Sequence, residues 1–297
     1  MSPTSQNNKR IAKNTLLLYF RMIVLMLVTL YTSRVMLDAL GESDYGIYNV
    51  VGGVVAMFSV LSNSLSGAIS RFITYELGTG NKERLARIFC TSVNIQILMA
   101  LAIFVLCEVG GVWFLNAKMN IPDGRMEAAN IVLQCSIATF MVNLISVPYN
   151  ATIIAHERMG VFAYISILEA GLKLLVAYLI YISTFDKLMV YALLILGIAI
   201  LLRLIYGIYC GRHFAEAHYR FILDRPLLKE MTGFAGWNLF GSTAYMLNTQ
   251  GVNMLINIFF GVATNAARAI AVQVDAAVTQ FVNNFMTAIN PQITKSY

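Results

Sequence analysis

Apolar residues fill this chain in long runs, broken at intervals by short polar segments. The run from Leu16 to Leu40, "LLLYFRMIVLMLVTLYTSRVMLDAL", is long enough to cross a bilayer. Comparable runs recur to the end. Eight spans can be drawn, near 14–37, 45–70, 86–115, 128–154, 160–183, 187–210, 235–259 and 264–289. Each offers the roughly 20 helical residues that a hydrocarbon core requires. None shows the strict alternation over short segments that marks a membrane β-strand. The pattern predicts an all-α polytopic membrane protein of about eight transmembrane helices.

The connections alternate in character. Those after even-numbered spans are basic: "GNKERLAR", "HERMG" and "GRHFAEAHYRFILDRPLLKE". Those after odd-numbered spans are short and weakly charged: "GESDYG", "NAKMNIPDGRME", "STFDKL" and "FGVATN". Thirteen lysines and arginines fall on the side of the N-terminus, four on the other side and four within spans. By the positive-inside rule the N-terminus of this multi-pass chain is expected in the cytoplasm. The first apolar run is too long for a signal-peptide core and has no small-residue cleavage site after it, so it reads as an uncleaved span.

An internal repeat follows from shifting the chain by 220 residues. Residues 20–74 then overlay 240–294 without a gap, with twelve identities, among them Gly41 on Gly261 and Asn63 on Asn283. A repeat of six spans is even, so both copies run the same way through the membrane, as in transporters with parallel halves. The predicted organisation is a complete six-helix bundle over 1–222 and the first two helices of a second bundle over 223–297. The ending "INPQITKSY" leaves that second bundle two spans long, so the chain reads as a fragment, with four or more spans expected beyond it.

Composition agrees. The chain is 58% hydrophobic and 12% charged, whereas soluble domains carry about a quarter charged residues. Its net charge of +6 lies in the loops between spans and makes no case for nucleic-acid binding. Cys90, Cys107, Cys135 and Cys210 are scattered through apolar runs and read as buried free thiols rather than metal ligands or disulfides. No Walker A, HExxH or Ser/His/Asp pattern suggests an enzyme, and no cofactor is implied.

The chemistry sits in polar residues inside spans. In span 8, Arg268, Asp275, Thr279 and Asn283 stack on one helical face, with Gln273, Gln280 and Asn284 beside them. In span 2, Tyr48, Gly52, Ser59, Asn63, Ser66 and Ser70 form a matching stripe. Small and hydroxyl residues often just glue helices together. An arginine and an aspartate on one stripe, with three amides adjoining, point instead to a wet cleft between the two halves. Arg21, Glu169, Lys173, Arg203 and Asp275 would together cost on the order of 12 kcal/mol facing lipid at mid-depth, comparable to a whole domain's stability. Arg34 and Arg203 lie near enough to a surface to snorkel. Glu169 and Lys173, at i and i+4, are either a self-neutralising pair or a proton or substrate site that the pair masks. His156, His213 and His218 fall in loops and read as solvated. Glu42 and Asp44 read as turn residues.

The segments "RVMLDALGESDYGIYNVVGG" and "SGAISRFITYELGTGNKERL", with the later "NMLINIFFGVATNAARAIAVQV", resemble bacterial polysaccharide flippases of the multidrug/oligosaccharidyl-lipid/polysaccharide exporter superfamily. The resemblance implies two six-helix bundles around a cleft, moving an undecaprenyl-pyrophosphate-linked oligosaccharide across the bacterial inner (cytoplasmic) membrane by alternating access. It implies cleft arginines against the pyrophosphate, a part that Arg21 and Arg268 could play. Asn63, Thr279, Gln280 and Asn283 would then hydrogen-bond sugars. Asp275 or Glu169, the latter paired with Lys173, would take a coupling proton or sodium ion. Polysaccharide polymerase and glycosyltransferases would be partners, alongside membrane lipid. A cation-coupled drug antiporter of the same superfamily, or a membrane scaffold for polysaccharide assembly, are the alternatives.

Overall fold

A computed structural model describes the backbone over residues 3–56, 58–118, 121, 124–222 and 224–296. The side chains of 3–11, 245–274, 276, 277 and a few scattered positions, Asn63 among them, lie outside the described residues. The described backbone is helical almost throughout. The elements are α1 (Pro3–Ala56), α2 (Ser59–Thr79), α3 (Lys82–Leu106), a π-helical turn (Cys107–Gly111), α4 (Val112–Lys118), α5 (Met126–Ala155), α6 (Met159–Ile182), α7 (Lys187–His213), a 3₁₀ turn (Ala215–Ala217) and α8 (Arg225–Ser296). Among the described residues, five stretches are long and apolar enough to cross a membrane: Ala12–Asn49, Lys82–Ala117, Met126–Ala155, Met159–Ile182 and Lys187–His213.

Two helices, α1 and α8, hide a reversal. Leu18 packs with Met159 at the start of α6, and Ile73 packs with Ala155 at the end of α5. A straight helix would part Leu18 from Ile73 by about 80 Å. The chain turns back at Gly41, whose φ of 79° and ψ of 168° no helix contains. α8 does the same. Phe234 and Asn238 line one pocket with Thr287 and Asn290, though a straight helix would set Asn238 about 74 Å from Thr287. The chain doubles back between them, in the range that holds Gly261. Spans 1 and 2 are thus the two arms of a hairpin, the second completed by α2, and spans 7 and 8 are the two arms of α8.

α5 is the central post, packing against α1, α2, α3 and α7. Small and apolar residues on it, such as Ala128, Ala129, Val132, Leu133 and Ala151, are almost wholly buried. α6 packs against α1 and α7, and α8 lies mainly on α2. The four cysteines are free and buried.

The turn between α2 and α3 shows how the sequence "ELGTGNKERL" stops one helix and starts the next. Gly80 takes the left-handed conformation at φ 76° and its N–H bonds Glu76 O, as a helix C-terminus favours. Asn81 then caps α3, accepting from the Arg84 N–H at 3.0 Å. The buried Glu76 carboxylate accepts from the Thr79 hydroxyl at 2.9 Å and faces Arg84 at 3.6 Å.

Candidate functional site

One face of α1 carries Arg21, Val28, Thr32 and Met36, at helical spacing. One face of α6 carries Ser166, Glu169 and Lys173. These faces meet with Tyr45, Tyr48 and Asn49 from the second arm of α1, Thr139 of α5 and Tyr191 of α7, and line a half-open chamber of about 610 Å³. Tyr48 and Tyr191 close one wall edge to face, their centroids 4.8 Å apart. Lys173 Nζ donates to Glu169 Oε1 at 2.6 Å. The Arg21 guanidinium lies over the Phe162 ring, 4.5 Å from its centroid, a geometry in which the ring's negative face offsets lost hydration.

The polar groups of the chamber are not all used within the protein. Arg21 Nε and the hydroxyls of Thr32 and Thr139 have no hydrogen-bond partner. Each such group in a dry core would cost about 1–3 kcal/mol. A polar cavity of this size has room for water or for part of a ligand. It holds two cations against one carboxylate, so its charge suits an anion.

A second half-open pocket, of about 800 Å³, lies between α2 and both arms of α8. Ser66, Ser70, Arg71 and Thr74 come from α2, Asn238 from the first arm of α8, and Thr287, Asn290 and Thr294 from the second. Phe72 meets Phe234 edge to face, with centroids 6.0 Å apart, and Arg71 sits 4.9 Å from the Phe234 centroid.

The residues singled out from sequence therefore divide. Arg21, Glu169 and Lys173 come together in the chamber. The span 2 stripe is split: Tyr48 faces the chamber, while Ser66 and Ser70 face α8. Tyr48 and Ser66 lie 18 residues apart, about 27 Å along a helix, so one stripe meets different neighbours at its two ends. Asp275, Thr279, Gln280 and Asn283 are exposed along α8. Asn284 beside them is buried and reaches Met22 Sδ at 3.1 Å. The side chains of Arg268 and Asn63 lie outside the described residues.

Other charges have partners that spacing did not show. Arg203 stacks over Tyr149 at 3.9 Å rather than only reaching for a surface. His156 is not a solvated loop residue. It stacks on Phe214 with centroids 4.1 Å apart and bonds Glu216 at 2.5 Å. Burial alone would push the Glu216 carboxyl up, but the bond to His156 holds it below its ordinary value. At the opposite end of the bundle, Asp44 is more than a turn residue. Arg125 Nε donates to Asp44 Oδ1 at 2.9 Å, and its terminal nitrogens reach both Asp44 and Asp186. Asp186 Oδ1 also caps α7, accepting from the N–H groups of Leu188 at 3.0 Å and Met189 at 3.1 Å. The "STFDKL" segment carried that cap in plain sight, because aspartate before an apolar run is a helix start signal.

Comparisons with known proteins place this architecture. The model of the family described as "Polysaccharide biosynthesis protein" matches residues 9–296. The "Uncharacterized membrane protein EpsK" of Bacillus subtilis (strain 168) is 17% identical over 275 residues, covering 91% of this chain and 54% of that protein. Among solved structures, a MATE protein in the bent conformation superposes with a TM-score of 0.80 at 14% identity, covering 96% of this chain and 64% of that one. An outward-facing multidrug resistance MATE family transporter of the MOP superfamily gives 0.78 at 15% identity, with the same coverage of each chain. A MOP superfamily transporter from Pyrococcus furiosus, described as having a binding pocket of reverse polarity, gives 0.76 at 15% identity, again covering 96% of this chain and 64% of that one. The chain spans about half the length of the curated relative and under two thirds of these structures. Its match over nearly every residue settles its kinship: this is a membrane protein of the polysaccharide biosynthesis protein family, with the fold of the MOP-superfamily transporters.

Proposed function

We propose that this chain carries the first half, and the start of the second, of a transporter that moves a polyprenyl-pyrophosphate-linked oligosaccharide across the cytoplasmic membrane. The division falls at residue 222, with a six-helix bundle before it and a parallel bundle begun after it. The basic end, with the N-terminus, faces the cytoplasm. Transport proceeds by alternating access, with the two bundles rocking about their seam.

The observation that carries this reading is Arg21: a guanidinium held on an aromatic face inside a membrane bundle, opening on a chamber, with its Nε unused. A cation kept in the membrane at that cost serves an anion, and pyrophosphate is the anion that lipid-linked glycans bring. Arg268 is assigned the same role from the second bundle. Asn63, Thr279, Gln280 and Asn283 are assigned weak hydrogen bonds to sugar. Lys173, freed whenever Glu169 takes a proton, adds a second charge to the chamber. Glu169 or Asp275 is then the site of a coupling proton or sodium ion. The chamber's two cations against one carboxylate disfavour the cationic cargo of a drug antiporter.

Arg21→Ala and Arg21→Lys variants test this in cells that depend on the gene for surface polysaccharide. Arg21→Ala is expected to reduce polysaccharide at the cell surface at least tenfold, since a charged hydrogen bond to phosphate contributes about 1.5–3 kcal/mol. Arg21→Lys should retain part of it, because lysine keeps the charge but not the planar fork. Export by Arg21→Ala at the wild-type level, with normal protein in the membrane, removes Arg21 from the mechanism.

A further inference from the structure

The segment that joins α7 to α8 is pinned along its length to α3 and to the end of α5. Phe214 is buried and stacks on His156, whose imidazole bonds Glu216. Ala217 is buried beside them in sequence. Cys90 Sγ accepts from the Arg220 N–H at 3.3 Å. Asn94 holds two points at once: its Nδ2 donates to Ile222 O at 2.8 Å, and its Oδ1 accepts from the Tyr219 hydroxyl at 2.7 Å. A strap held this way keeps a fixed outer side. Tyr219, Arg220 and Phe221 are exposed there, Phe221 at 78%, with exposed Arg212 and Arg225 flanking the strap. Glu216 is the one carboxylate in residues 212–222, and it is turned inward to His156.

The depth of the strap follows from the helix that holds it. The membrane-length stretch Lys82–Ala117 has 36 residues, about 54 Å of helix, against a hydrocarbon core of about 30 Å. Lys82, Glu83, Arg84 and Arg87 fill the first two turns, with Arg87 paired to Glu83 at 2.9 Å, so the core begins beyond them. Cys90 and Asn94 follow within two further turns. The strap that they bond therefore lies where headgroups meet acyl chains. An exposed phenyl ring beside an arginine suits that boundary. The ring gains by entering the upper acyl region, while the guanidinium stays among phosphates.

We infer that the outer side of this strap binds anionic phospholipid at the membrane surface, with Arg220 and the flanking Arg212 on headgroup phosphates and Phe221 seated in the acyl boundary. Anionic rather than zwitterionic lipid is the match, because the strap's only carboxylate is occupied by His156 and leaves these cations un-neutralised. The contact lies outside both pockets and calls on neither cargo nor transport cycle. It ties the connection between α7 and α8 to one leaflet.

Phe221→Cys carrying an environment-sensitive dye tests this in the full chain, since the four native cysteines are buried. The protein is placed in nanodiscs of phosphatidylcholine with a rising fraction of phosphatidylglycerol, and acrylamide quenching reports how far the dye is shielded from water. Shielding is expected to rise with phosphatidylglycerol and to fall back at high salt. Arg220→Gln should raise the phosphatidylglycerol fraction at half-effect about fivefold, and Arg212→Gln together with Arg220→Gln should raise it further. Arg220→Lys keeps the charge and should stay near the parent, and melting curves verify folding of each variant. A dye shielded equally in phosphatidylcholine alone marks an apolar anchor without charge recognition and overturns the assignment. So does a dye open to water at every composition, or a phosphatidylglycerol response that survives the double substitution.

Discussion

Arg125→Ala is expected to destabilise the protein by about 2–3 kcal/mol, read as a lower thermal unfolding midpoint in detergent. A surface ion pair would give at most about 1 kcal/mol, and breaking a fully buried one about 3–5 kcal/mol. This cluster lies between. The side chains of Arg125, Asp44 and Asp186 are 27%, 19% and 27% exposed. One guanidinium ties the turn after Gly41 to the N-terminus of α7, so its loss strands two carboxylates at once. Arg125→Lys should lose about half as much, because an ammonium cannot fork to both partners. Adding Asp44→Asn to Arg125→Ala should restore part of the loss by removing a stranded charge. An Arg125→Ala midpoint equal to wild type would show that the clamp contributes nothing.

The same cluster sets a pH dependence. Burial alone would raise the Asp186 carboxyl, but the bond to Arg125 and the two α7 N–H groups hold it below its ordinary value of 3.8. A carboxyl lowered by folding contributes stability that is complete above its unfolded value and is lost as pH falls through the folded one. The stability gap between wild type and Asp186→Asn is therefore expected to be flat from pH 7 to pH 5 and to shrink below about pH 3.8.

Gly41→Ala is expected to cost about 1–3 kcal/mol, for a purely backbone reason. At φ 79° and ψ 168° the residue sits in a region that is essentially reserved for glycine. A Cβ built there would meet nothing within 4 Å. Crowding is thus not the cause, and Gly41→Leu should cost about as much as Gly41→Ala. Gly80, at φ 76° and ψ 8°, is a different case. That left-handed cap accepts asparagine, so Gly80→Asn should cost less than Gly41→Ala. Equal melting of Gly41→Ala and wild type would mean that the hairpin closes by another conformation.

The chamber and the clamp show how far the residues could be read in order. Glu169 and Lys173 were legible as a pair because i and i+4 on a helix are neighbours whatever else the chain does. Arg21 was legible as an arginine that needed a reason. That the reason is a shared space with α6 was not legible, since it depends on which face of α1 packs against which face of α6. Asp44, Arg125 and Asp186 looked like three ordinary loop residues. They are 81 and 61 residues apart along the chain, and only the bundle brings them to one point. The span 2 stripe reads as one row from helical spacing, but its two ends lie at different depths of the bundle and line different pockets.

By itself, then, the sequence determined that the chain is a helical polytopic membrane protein and that the turn at Gly41 joins its first two spans. These follow from hydropathy and local backbone sterics, which act within a few residues. Tertiary structure alone decided that two polar spaces exist, that Arg21 opens on one and Arg71 on the other, and that Arg125 locks the end opposite the basic loops. Those outcomes depend on helix rotation and tilt. They are set by packing between segments scores of residues apart, which no local pattern encodes.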